Sequence, residues 1–116
     1  MARLQTHFFV PLYRDKAFGG GLHTTDKWEK LTTDLFVMFK GRTLGPGIFK
    51  GVYEDPDTGK PVEDESLQFI VALEEDRIPE LREYIRKVVA PSFGQKYIYF
   101  YNGREVEFIE GAKIQE

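Results

Sequence analysis

The side chains of this sequence with acid–base potential near neutral pH are its two histidines, His7 and His23. His7 lies in an alternating segment rich in rings. There an imidazole between aromatic neighbours can serve as a general base, although a packed or hydrogen-bonded sheet histidine is the ordinary reading. His23 closes a glycine-rich stretch just before a helix start, within reach of the anion-favouring end of that helix; an exposed loop histidine is its ordinary reading. Arg42, set among glycines, offers an anion contact or simply a surface charge. The carboxylates Glu54, Asp55, Asp57, Glu63, Asp64 and Glu65 crowd one predicted hairpin. A solvated acidic loop accounts for them, since acid–base work requires a desolvated member.

Other chemistries are not supported. The chain has no cysteine, which removes disulfides, thiolate nucleophiles and cysteine-type zinc sites. It contains no HExxH, Walker or GxSxG string. The DPDTG segment lacks the glutamate that completes a calcium loop, so it reads as a turn. No metal and no cofactor is expected.

Positioning these residues requires elements, and periodicity supplies them. Residues 3–13 alternate, with Leu4, Thr6, Phe8, Val10 and Leu12 on one side and His7, Phe9 and Tyr13 on the other, as in a strand. Residues 14–24 form a loop around Gly19, Gly20 and Gly21. A helix starts near Thr25 or Asp26, carries Trp28, Leu31, Leu35, Met38 and Phe39 at helical spacing, and stops at Lys40 and Gly41. A second strand over about 47–54 and a third over about 62–73 flank the DPDTGKP turn and predict a hairpin. A second helix begins at Asp76 to Pro79, buries Leu81, Ile85, Val88 and Val89, and ends at Pro91. Finally, Asn102-Gly103 between two alternating runs predicts a two-residue hairpin turn that pairs Tyr99 with Val106 and Tyr97 with Phe108.

The order β-α-β-β-α-β with one further C-terminal strand predicts an α+β, ferredoxin-like sandwich, a single domain over residues 1–116. Its helices cover one sheet face. The other face then receives His7, Phe9, Tyr13, Ile70, Tyr97, Tyr99, Val106 and Phe108. The same register sends Glu105 and Glu107 toward the helices, an apparent conflict. The open face is too apolar for a monomer, which tolerates patches of roughly a few hundred Å². Phe9, Tyr13, Ile70, Tyr97, Tyr99 and Phe108 are therefore the expected interface or ligand-binding residues, and a second copy packed sheet on sheet is the expected cover.

Several strings in order resemble an uncharacterised bacterial family of small ferredoxin-like domains. They are DKWEKL at the first helix, GVYEDPDTGKPVEDES before an apolar strand, and SFGQKYIYF. Trp28, Gly51 with Tyr53, Glu65 with Ser66, and Phe93-Gly94-Gln95 carry the likeness, although the family has Trp where this chain has Tyr53. The resemblance implies the fold and no known activity.

Bulk properties complete the reading. The net charge is −3 and basic residues are scattered, which argues against nucleic acid. No segment has the length of a spanning helix, and the first residues do not resemble a signal or transit peptide. A cytoplasmic protein without membrane contact is expected. The leading functional expectation is a homodimeric domain that binds a small molecule or partner at the aromatic face. The alternatives are a cofactor-independent oxygenase or isomerase of the dimeric α+β barrel type, with His7 and Tyr97 or Tyr99 at work, and a purely structural or assembly subunit.

Overall fold

Alternating apolar residues at the start of the chain form β1 (Arg3–Pro11), whose even positions Thr6, Phe8 and Val10 are fully buried. In the computed structural model, which describes residues 3–113, β1 is central to an antiparallel sheet. The remaining elements are α1 (Thr25–Phe39), β2 (Thr43–Leu44), β3 (Phe49–Glu54), β4 (Pro61–Glu74), α2 from Ile78 to Ser92, β5 (Tyr97–Tyr101) and β6 (Val106–Glu110). The sheet order is β2-β4-β1-β5-β6, with β3 paired to β4 beyond β2. The architecture is α+β: six strands in one antiparallel sheet with two helices. Among the described residues no helix is long and apolar enough to cross a membrane.

Both helices lie on the face carrying Phe8, Phe69, Val71, Ile98 and Phe100. Leu31, Leu35 and Phe39 of α1 and Leu81, Ile85 and Val89 of α2 complete that core. The helix ends depart from the sequence expectation in instructive ways. Lys40 itself, rather than Gly41, takes the left-handed conformation that ends α1, with φ of 63°. Pro91 does not end α2. Its ring and missing N–H conflict with the carbonyl one α-turn earlier, and the helix widens to a π turn over Ile85–Val89 before a final α turn, Ala90–Ser92. The Arg86 carbonyl accepts the Ala112 N–H at 2.9 Å, tying the end of the sheet to α2.

The last hairpin differs from the predicted two-residue turn. Tyr101 pairs with Val106 and Tyr99 with Phe108, leaving Asn102 to Glu105 as a four-residue loop. The Asn102 side-chain oxygen accepts the N–H groups of Arg104 and Glu105, both at 2.9 Å. Glu105 therefore lies outside the strand. Glu107 does face the helices, where the Arg82 guanidinium of α2 grips its carboxylate with two hydrogen bonds of 2.7 and 2.8 Å. The expected conflict is thus resolved by an arginine and a longer loop.

Candidate functional site

The face opposite the helices is concave. Strand β4 is 14 residues long, and its first half carries β3 as a hairpin past the end of β1. This hairpin curls over the open face. As a result the Tyr53 ring of β3 comes within 6.1 Å of the Phe108 ring of β6, although these strands lie toward opposite edges of the sheet. The hairpin tip is held by Asp57, which forms an ion pair with Lys96 and accepts a long 3.4 Å hydrogen bond from the Tyr97 hydroxyl.

The curl forms one wall of a half-open cavity of about 420 Å³. Phe9 and Pro11 of β1 form its floor with Tyr99 and Tyr97 of β5. Phe49 and Tyr53 of β3 and Phe108 of β6 wall it, and Asp64 and Ser66 of β4 supply polar groups. The rings are mutually packed: Phe9 stands edge-on to Phe49 at 5.3 Å and to Tyr99 at 5.2 Å, and Tyr99 edge-on to Phe108 at 5.8 Å. Strand alternation explains why these residues converge, since every second side chain shares a face.

Asp64 is the carboxylate that the sequence reading did not separate from its neighbours. It is half-buried and sits across the ladder from Gly51. Burial raises its pKa, the nearby charge of Asp15 raises it further, and the Tyr53 hydroxyl, facing the carboxylate, offsets part of the rise. Asp15 is raised for the same first reason, although the Lys96 N–H donates to its carboxylate at 2.6 Å. The Tyr53 hydroxyl is held strongly in its neutral form, first by burial and then by Asp64. The acidic hairpin is therefore not wholly a solvated loop. The missing signal was spatial: alternation puts Asp64 on the inner face and Glu63 and Glu65 outside, but the face counts as enclosed only once the sheet is known to curl.

The other residues singled out from sequence are dispersed. His7 lies on the open face among Phe9, Tyr99 and Tyr101, with ring centroids at 5.5, 6.1 and 5.2 Å, and burial lowers its pKa. It does not line the cavity. Ile70 sits across from it on β4. Tyr13 is exposed beyond the end of β1, bridged to Leu22. Arg42 lies on the surface with its guanidinium 5.9 Å from the Phe36 ring centroid. His23 is not a solvent-exposed loop residue. It packs edge-on against Trp28 at 5.4 Å and Phe93 at 4.8 Å, and its Nε2 bonds the Pro11 carbonyl at 2.8 Å. That bond makes Nε2 the protonated nitrogen, leaving Nδ1 buried without a partner.

Among the described residues no group of three or more His, Asp or Glu side chains is arranged to hold a metal ion. No family model and no curated protein sequence matches the chain. Its fold does match solved structures. One is a phage SAM lyase in complex with S-methyl-5'-thioadenosine, with a TM-score of 0.63 and 18% identity over 99% of this chain and 94% of that one. Another is a phage SAM lyase in the apo state, with a TM-score of 0.60 and 18% identity over 98% and 94% of the two chains. At this identity the likeness establishes a shared fold.

Proposed function

We propose that this chain, whose fold is shared with a ligand-binding phage lyase, is a small-molecule-binding domain that holds its ligand in the aromatic cavity of the sheet and works as a homodimer. The observation that carries the reading is the cavity itself. Its volume of about 420 Å³ lies within the range of small-ligand sites, roughly 300–1,000 Å³, and it combines apolar walls with a few convergent polar groups. The strand order supports a ferredoxin-like description, with β6 as the extra C-terminal strand. Ring-lined walls suit a heteroaromatic ligand, and the neighbour's S-methyl-5'-thioadenosine is the natural first probe.

Phe108 and Val106, both exposed and both paired to tyrosines of β5, support a covering second copy. The binding test is a thermal-shift and calorimetric titration with S-methyl-5'-thioadenosine and SAM, on the wild type and on Tyr99→Ala. A ligand at 100 times its dissociation constant stabilises the fold by about 2.7 kcal/mol. No shift with either nucleoside at millimolar concentration counts against the reading. The mass in solution tests the dimer: a monomer for the wild type at tens of micromolar contradicts it, and a dimer lost in Phe108→Glu supports it.

The second reading is a lyase acting at the same cavity. It is favoured by a half-buried carboxylate of raised pKa beside a neutral tyrosine hydroxyl, the pairing that acid–base chemistry uses. Incubation with SAM followed by mass spectrometry for S-methyl-5'-thioadenosine separates turnover from binding.

A further inference from the structure

We propose that the cavity selects a ligand bearing a positive charge on an organic group, a sulfonium or ammonium, with Asp64 as the residue that sets this preference. The inference rests on the binding reading above and names the ligand's charge. The first support is the lining. The faces of aromatic rings carry negative potential and attract organic cations, and Phe9, Phe49, Tyr53, Tyr97, Tyr99 and Phe108 all border the space.

The second support is charge complementarity. Asp64 lies on the cavity wall, with Asp15 near enough to raise its pKa, and Asp55 near enough to Asp15 to raise that residue's in turn. Among the described residues no lysine, arginine or histidine pairs with Asp64. Lys96, whose backbone N–H bonds Asp15, is engaged through its ammonium with Asp57. Lys50 borders the cavity through its strand, but alternation sends its side chain to the outer face, opposite Glu65. The Tyr53 hydroxyl faces Asp64 from one side, and the space over its ladder partner is open. Its ladder partner is Gly51, where even a β-carbon would meet nothing within 4 Å. A half-buried carboxylate with a tyrosine hydroxyl as its polar partner, no cation beside it and aromatics around it gains most from a cation that sheds its water easily. An onium group does so far better than a metal ion, for which no three ligating side chains are gathered among the described residues.

The test compares two probes of nearly equal size on the full chain by calorimetry. Sinefungin carries an ammonium group where S-adenosylhomocysteine carries a neutral sulfur, and neither presents a sulfonium leaving group. The expected result is at least tenfold tighter binding of sinefungin by the wild type, a preference that narrows to within about threefold in Asp64→Asn while affinity for S-adenosylhomocysteine stays unchanged. Equal affinity of the wild type for both probes overturns charge selection and leaves the binding reading standing. Binding of neither removes both. The wild-type comparison needs no variant, so it decides even if Asp64→Asn folds poorly. Where that variant folds, a preference it fully retains takes the role from Asp64.

Discussion

Glu107→Gln tests how the sheet places its ring-bearing edge. The Glu107 carboxylate accepts three hydrogen bonds: 2.7 and 2.8 Å from Arg82 and 2.6 Å from the Asn102 amide. Hydrogen bonds to charged groups contribute about 1.5–3 kcal/mol, whereas well-exposed ion pairs contribute about 0.2–1 kcal/mol. With the glutamate 23% and the arginine 37% exposed, solvent screening puts this pair between those limits. Glutamine keeps the shape but turns an amide N–H₂ toward at least one of these donors and removes the charge, so the expected loss is about 2 kcal/mol. At a melting entropy of about 2.1 cal/mol/K per residue, that is a fall of about 8 °C in Tm. Urea denaturation at pH 7 measures it. The Arg82 guanidinium holds the Glu107 pKa below its usual range. Its contribution is therefore present above the unfolded glutamate pKa and lost as pH falls through the folded value, and the gap between wild type and variant should close in acid. A difference under 0.5 kcal/mol at pH 7, or one that persists at pH 2–3, would refute this account of how a glutamate sits on the helix-covered face.

Three further outcomes are expected. His23 is held neutral first by burial, then by the nearby charges of Lys27 and Arg14, against the opposing pull of the Pro11 carbonyl. Its lowered pKa means the unfolded state takes the proton first, so stability should drop as pH falls from about 7 through the folded value. The wild type should therefore lose more of its urea midpoint between pH 7.5 and 5.5 than His23→Phe does; parallel midpoints contradict the assignment. Lys40→Gly removes the cost of a left-handed lysine, about 1 kcal/mol before the added flexibility of the unfolded chain is set against it. A Tm rise of a few degrees is expected, and a fall would show that the lysine side chain matters more than its backbone. Gly111→Ala would set a β-carbon 2.7 Å from the Ala90 β-carbon and 3.1 Å from the Gln95 carbonyl oxygen. A loss of about 1–3 kcal/mol follows from overpacking, and an unchanged midpoint would mean that the end of β6 yields freely.

What the sequence reveals here is parity, because parity is local. The alternation in residues 3–13 and 97–108 assigns each ring to a face without any knowledge of the partner strand. That is why the face of Phe108 is read correctly although its partner is Tyr99 rather than Tyr97: a shift of two residues preserves the face. The size of the loop was hidden because it depends on the Asn102 side chain, which bonds two backbone N–H groups and is itself held by Glu107. Helix boundaries failed where one residue answers to a distant constraint, as Pro91 does within a helix docked along its length. The burial of His23 is hidden for the same reason: a glycine-rich loop says nothing about the Trp28 and Phe93 rings that close on it. The cavity was the least legible feature. Its walls come from opposite ends of the sheet order, and only the curl of the β3–β4 hairpin brings Tyr53 to Phe108.

Two half-buried carboxylates in one sheet show why Asp64 matters. Glu107 is paired with an arginine and its pKa is lowered, so burial is offset by charge and hydrogen bonds. Asp64 gains only the Tyr53 hydroxyl, carries Asp15 as a like-charged neighbour, and its pKa is raised. A group in the second situation weakens the fold at neutral pH, since its folded state gives up the proton less readily than the unfolded chain. Asn at this position would have the same shape without that cost. A destabilising charge at the wall of an aromatic cavity is a feature that stability alone does not explain, and a bound cation would turn the same burial from a cost into an attraction. Asp64→Asn should therefore move two quantities in opposite directions, raising the urea midpoint at pH 7 while lowering affinity for the charged probe. If both fall together, Asp64 is a structural residue and the cavity's preference must come from its rings.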